Sequence, residues 1–118
     1  MGDLSTHFSR REFMCKCGCG FATVDSELLT VLEALRAHFD STVRINSGCR
    51  CPSHNRAIGG STDSEHTRGT AADIVVDGFP ASTVYDWLIR SFPGRYGIGL
   101  YPGWTHIDVR LRPARWMK

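Results

Sequence analysis

Ser64-Glu65-His66-Thr67-Arg68-Gly69-Thr70-Ala71-Ala72-Asp73-Ile74 places two metal-ligating residue types, His66 and Asp73, seven positions apart. Gly69 and the β-branched Thr67 and Thr70 argue against an unbroken helix between them. His66 is therefore expected in a loop and Asp73 on the strand that follows. On that strand Ala71, Asp73 and Val75 face one way, and Ala72, Ile74 and Val76 the other. A carboxylate in the middle of an apolar strand needs a partner, because an unpaired buried charge is very costly, and a metal is one such partner.

A third candidate ligand stands in Thr105-His106-Ile107-Asp108-Val109-Arg110. The same alternation puts His106, Asp108 and Arg110 on one face, opposed to Ile107 and Val109, a pattern that also suits a solvated edge strand. One carboxylate and two imidazoles from separated segments make the three-ligand set of a catalytic zinc, with the fourth position left to water. The residues alone thus point to a small zinc hydrolase.

Around these segments the chain reads as an α+β domain, helices packed on a small, largely antiparallel sheet. Ser9-Arg10-Arg11-Glu12 has the form of a capping box and predicts a short helical turn through Phe13, with Phe8 and Phe13 anchoring the N-terminus. Asp25 or Ser26 caps a longer helix in which Leu28, Leu32, Leu35 and Phe39 recur at helical spacing. His38, near that stripe, reads as a packing or rim residue. Val43 to Ser47 reads as a strand, and Pro52 opens a short helix through Ile58. Gly59 to Asp63 reads as a flexible loop. A second strand spans Ala71 to Val76, and a helix spans Pro80 to Ser91 with Val84, Trp87 and Leu88 inward. Tyr96 to Tyr101 and Thr105 to Arg110 then form a hairpin through Pro102-Gly103.

With 118 residues and 42% of them hydrophobic, one compact domain spanning residues 1–118 is expected. No run approaches the length of a membrane span, and the N-terminus lacks a basic flank followed by an apolar stretch. Synthesis in the cytoplasm without an export signal is expected, as a monomer. A net charge of +2 is too mild for nucleic acid, which calls for a clustered basic face. Arg110, Arg112, Arg115 and Lys118 concentrate charge near the C-terminus, where a solvated basic end is expected.

Five cysteines fall in two groups: Cys15, Cys17 and Cys19 alternate, and Cys49 and Cys51 bracket Arg50. Alternation in an extended chain would turn each group's thiols to one side. A structural zinc site, disulfides and separate thiols all stay open at this point, and Cys-x-Cys is not the Cys-x-x-Cys spacing of common zinc knuckles.

Ile45-Asn46-Ser47-Gly48-Cys49-Arg50, Asn55, Gly59-Gly60, Ser64-Glu65-His66, Gly69, Ala71, Asp73-Ile74, Gly97-Ile98-Gly99-Leu100-Tyr101 and His106-Ile107-Asp108 together resemble the D-alanyl-D-alanine carboxypeptidase type of zinc peptidase. That group includes the vancomycin-resistance D,D-dipeptidases, phage L-alanyl-D-glutamate endolysins and the zinc-bearing hedgehog domains. The N-terminal Phe-x-Cys-x-Cys-Gly-Cys segment is similar to a compact phage and prophage branch. The resemblance implies a hedgehog/D,D-peptidase-like fold and Zn2+ on His66, Asp73 and His106. It implies an Arg50 that stabilises charge on the scissile carbonyl or clamps a substrate carboxylate, and a Ser64 that binds substrate or holds its loop. The implied substrate is the bacterial peptidoglycan stem peptide, hydrolysed through a zinc-activated water, with action on the wall after release or as part of a virion.

One departure stands out. The Asp or Glu expected three residues before the last histidine is Gly103 here. Asp108, two residues and roughly 6.5 Å along the strand from His106, is the nearest substitute, as general base or as a residue that orients a ligand. Glu65 is the next candidate. Two alternatives follow: a catalytically weak or inactive zinc-fold module that binds cell-wall peptides, and a cysteine hydrolase using Cys49 or Cys51.

Overall fold

The computed structural model describes residues 2–20, 22–60 and 64–118; Ser61 to Asp63 of the expected glycine-rich loop lie outside the described residues. A 3-10 turn at Arg10–Phe13 opens the chain, where the Glu12 carboxylate accepts a bond from Ser9 N at 2.6 Å. Helix α1 spans Ser26–Phe39, its N-cap Asp25 accepting from Glu27 N and Leu28 N, and it buries Leu28, Val31, Leu32 and Leu35. Strand β1 (Val43–Ser47), helix α2 (Pro52–Ala57) and strand β2 (Ala71–Val76) follow. Helix α3 (Ala81–Ser91) buries Val84, Tyr85 and Leu88 and leads to strands β3 (Gly97–Leu100), β4 (Thr105–Asp108) and β5 (Ala114–Met117).

The five strands form one sheet in the order β1-β2-β4-β3-β5. All neighbours are antiparallel except β3 and β5, which run parallel. One face carries Ala72, Ile74, Val76, Ile98 and Ile107 into a core shared with α1 and α3. The opposite face is left for chemistry. Asp73 sits in register with His106 on β4 and with Ser47 on β1, and a bulge between Ile45 and Ser47 makes that second pairing.

Three expectations change. β4 is central and fully buried, so the polar face of His106 and Asp108 is no solvated edge. It also ends at Asp108, because Val109 leaves the sheet to bond Thr70 O at 3.1 Å. The solvated basic end holds for Arg112, Arg115 and Lys118, which are exposed, but not for Arg110, half-buried against Asp108; Arg115 of β5 also donates to Tyr96 O and Phe92 O, fastening the strand beside β3. His38 stacks on Trp87 at 4.8 Å between ring centroids, a packing role.

One carboxylate ties the N-terminal segment to α1. Glu33 of α1 accepts from Ser5 Oγ at 2.6 Å and His7 N at 2.7 Å, and pairs with His7 Nδ1 at 2.6 Å. Burial raises its pKa, but these bonds outweigh that and hold it below its ordinary value of 4.5. The stabilisation is therefore present above the unfolded value and lost as pH falls through the folded one. Glu33→Gln is expected to cost about 1–3 kcal/mol near neutral pH, with the gap closing as the solution is acidified. Urea unfolding across pH checks it.

Candidate metal centre

Ser64 caps a 3-10 turn, Glu65–Arg68, in which its Oγ accepts from His66 N at 3.2 Å. His66 is thus on a capped turn rather than in an open loop. The ring is buried, and its Nδ1 lies 2.6 Å from Gly48 O. A carbonyl only accepts, so Nδ1 carries the hydrogen and Nε2 keeps its lone pair. That lone pair faces Asp73 Oδ2 at 3.4 Å.

His106 repeats the pattern from the other side. Its Nε2 lies 2.7 Å from Asp108 Oδ2, and its Nδ1 lies 3.0 Å from Asp73 Oδ1. Asp108 is fully buried, and Arg110 grips the same carboxylate through Nε and Nη2, each at 2.7 Å. Burial raises the Asp108 pKa, yet the bonds from His106 and Arg110 prevail and keep it ionised; the same bond raises that of Arg110. An ionised carboxylate accepts, so Nε2 of His106 carries the hydrogen and Nδ1 turns its lone pair toward Asp73.

Two imidazole lone pairs and a carboxylate therefore converge, with donor atoms within 4.8 Å of one another. Electron pairs pointed at each other repel unless a cation sits among them. Protons are one remedy: burial lowers the His106 pKa, but Asp108 and Asp73 together pull it above its ordinary value. Burial likewise raises that of Asp73, and the bonds from His106 and His66 drive it well below the carboxylate range. A single divalent metal satisfies all three at once, and the set of two nitrogens and one oxygen is one that zinc accepts. The residues present fit the metal.

The sheet leaves room for this arrangement because β3 is glycine-rich. Gly97 and Gly99 pair with Asp108 and His106. A Cβ on Gly97 would lie 2.5 Å from the Asp108 carboxylate, and one on Gly99 would run into the Trp116 indole. Here the reason for glycine is close approach by neighbours.

The ligands line a cavity of about 510 Å³ together with Arg50, Ser64, Glu65, Tyr101, Trp104, Arg110 and Trp116. Tyr101 and Trp104 stack at 4.7 Å with 9° between planes, and Trp116 Nε1 donates to Tyr101 OH. Arg50 reaches in from the segment between β1 and α2; its backbone N bonds His66 O at 2.8 Å and its Nη1 donates to Asn55 Oδ1 at 3.0 Å. Its Nε and Trp104 Nε1 are buried donors without a hydrogen-bond partner among the described residues. Burial lowers the Arg50 pKa, only partly offset by nearby Asp73. Glu65 lines the cavity with both oxygens engaged, by Thr70 Oγ1 and Arg68 Nη1, each at 2.9 Å. Gly103 is not among the lining residues.

The structure thus brings Arg50, Ser64, His66, Asp73 and His106 to one cavity and sets Asp108 behind His106. Tyr101 stood in the quoted Gly97 to Tyr101 motif without a role, and the sequence reading missed Trp104 and Trp116.

A search of curated proteins finds no match. A family model described as Peptidase M15 matches residues 6–108. That span covers every residue of the ligand set, along with Arg50 beside them and Asp108 behind His106, and the chain belongs to the Peptidase M15 family of zinc metallopeptidases.

Proposed function

We propose that this protein is a zinc-dependent peptidase that hydrolyses stem peptides of the bacterial cell wall. The observation that carries the reading is the convergence of His66 Nε2, Asp73 and His106 Nδ1 in a cavity that also holds the half-buried Arg50, whose buried Nε has no hydrogen-bond partner among the described residues. His66, Asp73 and His106 would hold the metal. Zinc, when bound, supplies a Lewis acid that polarises a carbonyl and lowers the pKa of water.

The protein's own groups divide the remaining work. Gly48 O and Asp108 fix which nitrogen each histidine presents. Arg50 offers its guanidinium to negative charge, either the oxygen of the scissile carbonyl as it becomes an oxyanion or a substrate carboxylate. Tyr101 and Trp104 form a flat aromatic wall that positions the peptide, and Ser64, beside His66, supplies a hydroxyl at the cavity edge. Attack by water requires a proton acceptor. Asp108 is a positioning residue in this reading, since its two oxygens are taken by His106 and Arg110. Glu65 is the lining carboxylate outside the ligand set.

Asp108→Asn separates orientation from proton transfer. Loss of such an orienting partner is expected to weaken zinc binding about 10–100-fold, with peptidase activity restored by excess zinc. Activity that stays low at saturating zinc would instead make Asp108 the proton acceptor.

A second reading is favoured by the engagement of both Glu65 oxygens and the lack of a carboxylate at Gly103: a zinc-fold module that binds cell-wall peptides without turnover. One digest distinguishes the two. Zinc-loaded protein is incubated with purified peptidoglycan, and released termini are mapped by mass spectrometry. New termini that vanish with chelator support the peptidase. Retention on peptidoglycan without new termini supports the binding module, and the absence of both new termini and retention defeats both readings.

A further inference from the structure

Away from the cavity, four of the five cysteines meet. The sulfurs of Cys15, Cys17, Cys19 and Cys51 all lie within 4.8 Å of one another. Cys15 to Cys17 is 3.4 Å, Cys15 to Cys51 is 3.7 Å and Cys17 to Cys51 is 3.6 Å. A disulfide would bring two sulfurs to about 2.05 Å. A tetrahedron of thiolates at about 2.3 Å from a central zinc has edges of about 3.8 Å. The observed separations belong to the second geometry.

The local chain is shaped for it. Cys15 to Cys19 is a turn, not the extended alternation its spacing suggests: Gly18 N bonds Cys15 O at 3.2 Å, and Gly18 takes φ of 83°. Most side chains avoid that region, and glycine there folds Cys17 and Cys19 back onto Cys15. Two backbone amides also point at sulfur, Cys51 N at Cys15 and His54 N at Cys51, as the surroundings of a metal-bound thiolate require. Cys49 is turned the other way, its Sγ on Phe13 O at 3.0 Å.

We propose that Cys15, Cys17, Cys19 and Cys51 bind a second zinc ion, structural in role and closed to substrate by four protein ligands. The site joins the N-terminal turn to the segment Gly48 to Cys51. That segment supplies the carbonyl that orients His66 and carries Arg50 into the cavity. The second zinc thus braces the catalytic cavity from behind. It stands independently of which peptide the cavity accepts.

Elemental analysis of the full chain, purified reduced with zinc, tests it. Two zinc ions per chain are expected for the wild type, one for His66→Ala, and none for His66→Ala combined with Cys51→Ser. Replacing zinc with Co2+ in His66→Ala should give an intense near-ultraviolet thiolate-to-cobalt band. His66→Ala combined with Cys17→Ser, at an exposed position, should lose that band should the Cys51 variant fail to fold. Folded His66→Ala protein with no zinc and no thiolate band would overturn the proposal. So would a mass two hydrogens lower per cysteine pair, the mark of disulfides, in a parallel sample purified without reductant.

Discussion

Asp73→Asn is expected to lower zinc affinity at the cavity by about two to three orders of magnitude and to carry peptidase activity down with it. Binding free energies of about 10–16 kcal/mol for a four-ligand zinc amount to roughly 2.5–4 kcal/mol per ligand. Asp73 is also the one anion in the set, facing both histidines from the middle of β2. The amide keeps the shape of the side chain but not its charge, and both histidine lone pairs then face a dipole in place of a carboxylate. Because a metal-free protein has its own stability changes, the reading should come from equilibrium competition with a chelator of known affinity. Wild-type affinity in Asp73→Asn would remove Asp73 from the ligand set.

Arg50→Ala is expected to reduce kcat about 10²–10³-fold while leaving metal content unchanged, the scale seen when a single donor to a developing oxyanion is removed. The structure allows a clean test. The backbone of Arg50, which bonds His66 O, is untouched by the substitution, and the side chain gives up one bond to Asn55. Arg50→Lys should recover little, since a point ammonium does not reproduce the guanidinium fork. A change in KM alone would mean that Arg50 clamps a substrate carboxylate rather than the reacting oxygen. In a module without turnover, the loss would fall on peptide affinity.

Much of the fold was legible because its strongest elements carry local signals. Asp25 and the leucine spacing define α1, β-branched alternation defines β1, and the Asp77-Gly78 turn closes β2, both strands to the residue. The ligand segments were legible for a different reason: Asp73 violates the apolar pattern of its own strand, and that violation demands a cation. Placement of β4 was ambiguous, since polar His106 and Asp108 on one face suit either a wet edge or a built site. Only pairing with both β2 and β3 decides it.

The remaining features depend on distant neighbours. β5 is a four-residue strand directly after Pro113, in parallel with β3, and local patterning does not reveal a parallel partner. Gly97 and Gly99 look like weak strand residues until Trp116 and the Asp108–Arg110 pair are seen to occupy the space beside them. The cysteines mislead in the same way. Their alternation suggests an extended segment, whereas a turn at Gly18 and a thiol from Cys51, 36 residues on from Cys15, gather them.

Anomalous diffraction from zinc-loaded crystals, recorded on both sides of the zinc absorption edge, tests the central claim most directly. A peak bonded to His66 Nε2, Asp73 and His106 Nδ1, with a position open toward Arg50, is the predicted result. A zinc-saturated crystal with no peak between those three residues, or one bound through His106 Nε2 with Asp108 displaced, would contradict it.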